Sequence, residues 1–412
     1  MNHGCDEFDP NQLTVEQALE RILETVAPVS GRERLHLRQA LDRVLLEPVV
    51  ATFDVPPHRN SAMDGYALRA ADLGTDGTRL RVVGRSMAGA PFEGRVGAGE
   101  AVRIMTGAVV PEGADTVVMQ EQTEREGDEV VIRGNHREGA NIRHPGEDMR
   151  AGSTVLEAGR QLNAADVGLL ASLGIAEVTV YRRPRVAFFS TGDELRGIGE
   201  PLGEGDIYDS NRYTLDALLA RLPVERLDMG VIPDDLEAVR KAFREAAAVA
   251  DLVLTTGGVS VGEADYIKTV LEELGQIGFW RIAMKPGKPL AFGNLGQAHF
   301  FGLPGNPVST MATFVLFVRP ALQRMMGRSP EAPLRLRARV LNDLRKSPGR
   351  KDHQRGILRQ EGGELVVETT GLQGSHVLSS MSRANCFIVL PRGSGPVASG
   401  EEVEVLPFFG LL

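Results

Sequence analysis

The chain has 412 residues, is 42% hydrophobic and carries a formal net charge of −9. That length predicts about two to four domains, and the acidic balance argues against general nucleic-acid binding, which needs a basic footprint. Cys5 and Cys386 are the only cysteines, which excludes a zinc–cysteine cluster and argues against a disulfide framework. There is no charged-then-apolar leader and no long apolar run, so the expected compartment is the cytoplasm and no membrane partner is expected.

Residues 12–50 read as helical. Thr14 and Gln17 have capping-box spacing, and Val15, Leu19, Ile22 and Val26 follow at helical intervals. From Thr52 to Glu147 the reading is β, with RLRVVG, AVRIMTG, DTVVMQE and EVVIRG as short strands separated by glycine. Two turns in or beside this region set an acid close to glycine. Asn60–Ala67 carries Asp64, and Pro145–Met149 carries Asp148. A helix is expected over Asn163–Leu173, and IAEVTVYRRPRV leads onward from it. After Gly327 the strands LRLRARV, RGILRQ, ELVVETT, CFIVL and EEVEVLPF predict a small β barrel or sandwich. The expected domains are a helix-rich linking domain (1–51 and 148–180), a β-rich domain (52–147), an α/β domain (181–327) and a C-terminal β domain (328–412).

Between Arg185 and Pro307, five apolar strands each run into a polar or glycine-rich loop. These loops are Ser190–Glu194, Asp234-Asp235, Gly257–Asp265, Lys285–Pro289 and Pro304–Pro307. Leu215, Leu218, Leu219 and Leu222 repeat at i, i+3, i+4, i+7, and so do Ile267, Val270, Leu271 and Leu274. Strands alternating with such helices predict a parallel α/β sheet of right-handed crossovers. Loops at the carboxyl ends of its strands then form one crevice, where ligands bind. Three loops bring carboxylates, one brings Lys285 and Lys288, and the glycines let backbone N–H groups approach an anion. That set suits a phosphate-bearing substrate held partly through a divalent metal. A last helix, from about Val308 to Met326, is apolar nearly all round and should be buried. Thr313, Arg319 and Pro320 interrupt it too much for a membrane span.

Nine segments in order resemble the molybdopterin molybdenumtransferase family, that is, bacterial MoeA and the E domain of gephyrin. They are DVPPHRNSAMDGYA, RIMTGAVVPEGADTVVMQE, GEDMRAG, FSTGDEL, TTGGVSVGEADY, AMKPGKP, FGLPGNPVS, SPGRKDHQRG and GSHVLSSMSRANCFIVL, between about residues 50 and 390. The resemblance implies a multidomain chain with a central molybdopterin-binding-like α/β sheet, a β-rich insertion, a helical or mixed linking domain and a C-terminal barrel-like domain. It implies a homodimer whose active-site cleft both subunits line. It also implies insertion of molybdate into adenylylated molybdopterin with release of AMP, dependent on magnesium. The expected neighbours in the pathway are the molybdopterin adenylyltransferase and downstream cofactor-handling proteins. By the same resemblance, Asp64, Thr106, Asp148, Glu194, Asp234, Asp265, Lys285, Pro304 and Pro307 fall on catalytic positions, as do Arg355 and Ser375 on positions used for function. Arg281 stands where relatives often have lysine and stays outside the expected site, because its donor geometry differs.

The residue types suit that chemistry. Cleaving a phosphoanhydride spreads negative charge over phosphoryl oxygens, which metal ions and cations stabilise. Magnesium prefers one or two carboxylates with water and phosphate oxygens, which makes Glu194 and Asp265 the candidate metal ligands. Molybdate, a tetrahedral dianion, calls for cationic and hydroxyl donors such as Lys285, Lys288, Arg355 and Ser375. Gly257, Gly258 and Ser260 complete the expected substrate contacts. Pro304 and Pro307 would fix their loop so that Gly305 and Asn306 present backbone groups. Gly258–Gly262 also matches the G-x-S-x-G nucleophile elbow, yet no HGGG-type oxyanion loop accompanies it. Two further alternatives are a peptide-binding scaffold of gephyrin type and a molybdopterin adenylyltransferase, which resembles the α/β part alone.

Overall fold

The computed structural model describes residues 12–74, 77–257 and 265–412. They form two compact units, one of residues 35–41 and 47–178, the other of the N-terminal segment to residue 34, residues 42–46 and 179–412.

The smaller unit is built on a six-stranded sheet. Its order is Thr116–Met119, Gly65–Leu68, Glu100–Ile104, Thr78–Ser86, Glu129–Ile132, Thr123–Glu126. Gly65 opens a strand that pairs on both sides, and a Cβ there would fall 1.9 Å from the Val118 carbonyl oxygen. Only glycine permits that approach, and it sets Asp64 at the sheet's corner. The helix expected over Asn163–Leu173 runs Ala164–Ser172, with Asn163 as its N-cap.

The larger unit holds the α/β sheet, ordered Glu225–Ile232, Arg185–Thr191, Leu252–Thr256, Ala298–Leu303, Pro289–Leu295, Gly275–Arg281. The first four strands are mutually parallel. Pro289–Leu295 is antiparallel to both Ala298–Leu303 and Gly275–Arg281. The sheet is therefore mixed, and Pro289–Leu295 is a strand that the sequence reading did not include. Two reversals restore direction, so Gly275–Arg281 still ends on the same rim as the parallel strands. Alternate residues bury on opposite faces. Val186, Phe188, Leu252 and Leu254 pack with Leu215, Leu218 and Leu219 on one face. Ala187, Phe189 and Val253 pack with Val239, Phe243 and Val270 on the other.

The buried helix expected near the end of this region runs Pro307–Thr313, one π-helical turn Phe314–Val318, then Arg319–Met325. At the N-terminus the capping box of Thr14 and Gln17 forms in both directions, starting the helix Val15–Thr25. The helical reading of residues 12–50 fails beyond it. Arg32–His36 is a strand and Leu37–Gln39 a 3-10 turn. Pro28, and Gly31 at φ +110°, end the helical path.

The C-terminal strands close into a barrel. Lys351–Glu361 pairs with Glu364–Thr369, and the order continues through Leu336–Val340, Glu402–Pro407 and Cys386–Leu390 back to Lys351–Glu361. Val340, Val367, Ile388 and Val405 fill its interior. Met284-Lys285 leaves the α/β sheet and adds to this barrel beside Lys351-Asp352. Among the described residues no helix is long and apolar enough to cross a membrane.

Candidate active site

Backbone contacts draw the sheet's rim together. Gly257, at φ +89°, has its Cα so near the Thr191 carbonyl oxygen that a Cβ would lie 2.9 Å from it. A Cβ on Gly305 would meet Gly257 Cα at 3.6 Å, and Asn211 Nδ2 donates to the Gly305 carbonyl at 2.7 Å. Glu194 and Asp234 stand exposed on this rim. The Asp234 N–H donates to Asp193 Oδ1 at 3.1 Å. The Glu194 carboxylate folds back over Gly192 and forms no ion pair among the described residues. Asp265 opens the helix Asp265–Leu274. Gly258 and Ser260, with the rest of the elbow-like sequence, lie outside the described residues.

Pro304 and Pro307 bracket the turn before the buried helix, with Pro307 at its first position, where a missing N–H costs nothing. The Thr310 hydroxyl donates to the Pro304 carbonyl at 2.6 Å and fixes the turn. The Val308 N–H donates to the Ser375 carbonyl at 3.1 Å, which ties this helix start to a barrel loop.

A cavity of about 730 Å³ opens between that turn and the barrel. Five of the expected residues line it: Lys285, Lys288, Pro304, Arg355 and Ser375. Arg345 and Arg350 add cations, against the acids Asp343 and Asp352. Arg355 is 1% exposed. Its Nε donates to Ser380 Oγ at 3.0 Å and its Nη2 to the Gly374 carbonyl at 2.9 Å. The Gln373 side chain clamps its backbone, accepting from its N–H at 2.7 Å and donating to its carbonyl at 3.1 Å. Among the described residues Arg355 has no carboxylate partner, and burial pushes its guanidinium down to about 10. A buried cation without a counter-charge is costly unless a ligand supplies one. An anion in this cavity does so.

Sequence reasoning missed part of this lining. Ser309, 4% exposed, lies one turn into the helix behind Pro304, and the Pro304–Pro307 motif was its only signal. Arg345, Asp352 and His353 also line the cavity. Asp352 and His353 lie on the strand that carries Arg355, the one residue of it that the sequence reading placed in the expected site. Arg281 ends its strand and does not line the cavity.

In the smaller unit, Asp64 Oδ1 accepts from both the N–H and the hydroxyl of Thr106, each at 2.7 Å. These two bonds, with the Arg103 charge as a lesser contribution, hold the carboxyl below its ordinary range. The two residues are 42 positions apart, and the sheet brings them into one corner. Asp148 is exposed on another turn, its N–H bonded to the Val55 carbonyl at 3.0 Å. No hydrogen bond joins it to the Asp64 corner among the described residues.

The α/β sheet with its glycine-rich rim, set against a barrel across a cationic cavity, defines a multidomain protein with a molybdopterin-binding-type domain. Three family models match in order. They are the MoeA N-terminal region (domain I and II) at residues 13–174, a probable molybdopterin binding domain at 187–324 and the MoeA C-terminal region (domain IV) at 337–408. The molybdopterin molybdenumtransferase of Haemophilus influenzae is 47% identical over 97% of this chain and 100% of its own length. That of Nostoc is 38% identical over 91% and 88%. The crystal structure of the molybdopterin biosynthesis MoeA protein from Pyrococcus horikoshii, 32% identical, matches 96% of this chain and 100% of its own with a TM-score of 0.84. The chain belongs to the molybdopterin molybdenumtransferase family, transferases of molybdenum-cofactor biosynthesis. Its matches run through all three regions, which disfavours an adenylyltransferase that resembles the α/β part alone.

Proposed function

We propose that this chain transfers molybdenum from molybdate to adenylylated molybdopterin, splitting the phosphoanhydride and releasing AMP. The observation that carries this reading is the cavity in which Arg355, with no counter-charge among the described residues, lies buried beside Lys285, Lys288 and Ser375. A dianion of molybdate's size meets cationic donors there, of which Arg355 is already held in place by Ser380 and the Gly374 carbonyl. The adjoining rim supplies what a phosphoanhydride needs, namely glycine backbone at Gly257 and Gly305 and the carboxylates Glu194 and Asp234.

Magnesium fits this donor set. Glu194 offers carboxylate oxygens that form no ion pair among the described residues, Asp265 opens the helix after a neighbouring strand, and magnesium asks for only one or two carboxylates. Bound there, it would neutralise charge developing on the phosphate oxygens. Pro304 and Pro307 hold the turn that faces the oxyanion, while Asp64, held by Thr106, and Asp148 supply carboxylates that serve the site in trans. The protein is then a homodimer in the cytoplasm, receiving its substrate from a molybdopterin adenylyltransferase and passing its product to cofactor-handling proteins.

The direct test is AMP release from adenylylated molybdopterin by the purified chain with magnesium. Release should depend on molybdate; release indifferent to molybdate would remove the transferase reading. For the trans arrangement, Asp64→Ala and Asp265→Ala chains carrying different tags are mixed. About half the dimers should be mixed and roughly a quarter of all sites active. Tagged heterodimers no more active than either parent would place the whole site within one subunit.

A further inference from the structure

We propose that Asp352 is the proton acceptor of the oxyanion cavity, so that a divalent oxyanion such as molybdate binds together with a proton taken up on this carboxyl. The inference rests on the reading of the cavity as an oxyanion site.

Asp352 lies on the barrel strand Lys351–Glu361, in register with Lys285 on one side and Leu390 on the other. It lines the cavity and is 4% exposed. Only two donors approach its oxygens among the described residues, both at long range. Oδ1 is 3.9 Å from Lys346 Nζ, beyond hydrogen-bonding reach. The Lys346 ammonium instead donates to the Ser347 and Arg350 carbonyls, each at 2.7 Å. Oδ2 has only Gln354 Nε2, at 3.5 Å. A carboxylate kept from water with so few donors is costly as an anion.

Several charges face this carboxyl. Lys346 approaches from the preceding loop, Lys285 from the adjacent strand and Arg350 from two residues earlier, and all three favour the anion. Burial outweighs them and pushes the carboxyl above its ordinary range. The next residue, His353, is fully buried, with no partner for Nδ1, and is pushed down to about 3. Leu390, opposite, contributes no charge. A dianion entering the cavity adds negative charge near Asp352 and favours the protonated carboxyl further. A protonated carboxyl donates a hydrogen bond to an oxyanion oxygen, whereas a carboxylate can only accept.

The linkage has a definite sign. Asp352 has a higher pKa with the oxyanion bound than without it. Below the lower value, molybdate affinity does not vary with pH. Between the two values the dissociation constant rises by up to about tenfold per pH unit, and above the higher value it is level again.

The test is calorimetric titration of the full-length protein with sodium molybdate at a series of pH values across the range in which molybdate itself is the dianion. Two buffers of different ionisation enthalpy report the protons exchanged. Wild type should take up a substantial fraction of one proton per molybdate. Asp352→Asn, whose amide still donates, should bind molybdate with no uptake and no pH dependence. Binding to wild type without uptake overturns the inference and leaves the oxyanion site standing, even if the variant fails to fold. Undiminished uptake in Asp352→Asn also overturns it, since the proton then goes elsewhere, His353 first. Absence of any molybdate binding would remove the oxyanion reading and this inference together.

Discussion

Charge is handled in opposite ways at the sheet's rim and in the adjoining cavity of the same unit. At the rim, Glu194 and Asp234 stand in solvent at the ends of parallel strands, held by short turns. In the cavity, Arg355, Asp352 and His353 are 1%, 4% and 2% exposed, and each has its proton affinity moved by burial. The rim acids remain hydrated until a ligand arrives, so they cost the fold little. The cavity groups were desolvated during folding; Ser380 and the Gly374 carbonyl compensate Arg355, whereas Asp352 and His353 have little such compensation among the described residues. The comparison teaches that rim substitutions should change rate while leaving the fold alone. Cavity substitutions should change oxyanion affinity and pH behaviour, and some should change stability.

The largest effect is expected at the rim. Glu194→Gln keeps the shape and removes a charge that has no ion-pair partner among the described residues. Loss of one such charge-stabilising contact costs on the order of 3 kcal/mol of barrier, or about a hundredfold in rate. Steady-state AMP release should show that loss at saturating molybdate, with an unchanged melting temperature. A destabilised variant of normal rate would erase the distinction between the two regions.

A second effect, on stability and not on rate, is expected in the cavity. His353 is neutral in the folded protein, with its ordinary value of 6.5 lowered to about 3 by burial. In the unfolded chain the imidazole takes a proton as pH falls through its ordinary value, while the folded chain does not until about 3. Its contribution is therefore fully present above the ordinary value and is lost progressively as pH falls toward about 3. One linked proton gives a slope of about 1.4 kcal/mol per pH unit across that window. Urea unfolding of wild type and His353→Gln over the acid range should show a shallower fall in the variant. Parallel curves would mean that His353 already carries its proton in the folded protein.

Much of the architecture was legible because it follows from periodicity. The leucine stripes at Leu215–Leu222 and Ile267–Leu274, the capping box at Thr14 and the C-terminal run of strands all appear as read. Pro289–Leu295 escaped because a proline opens it and Gly293 interrupts it, both of which read as loop. Gly293 is needed there, since a Cβ would fall 2.0 Å from the Gln276 carbonyl oxygen on the paired strand. The stretch after Thr25 was read as helical because apolar residues recur, while the breaks at Pro28 and Gly31 were underweighted. At the site, loop composition pointed to Lys285 and Lys288, and the family resemblance to Pro304 and Ser375. Burial and partnership were not legible. Nothing local marks Arg355 as sealed against Ser380, or Asp64 as the acceptor for Thr106, because those contacts are made by tertiary pairing.

The central claim is that the barrel-side cavity holds the oxyanion while the rim handles the phosphate. The most direct test is the molybdate concentration for half-maximal AMP release in Lys285→Ala, Arg355→Ala and Glu194→Gln. Lys285 is exposed, so its loss should leave the fold intact even if Arg355→Ala weakens it. A charge-assisted contact is worth about 2 kcal/mol, so both cation variants should need at least about tenfold more molybdate, and Glu194→Gln should need no more than wild type. An unchanged requirement in both cation variants, or an increase confined to Glu194→Gln, would contradict this division of the site.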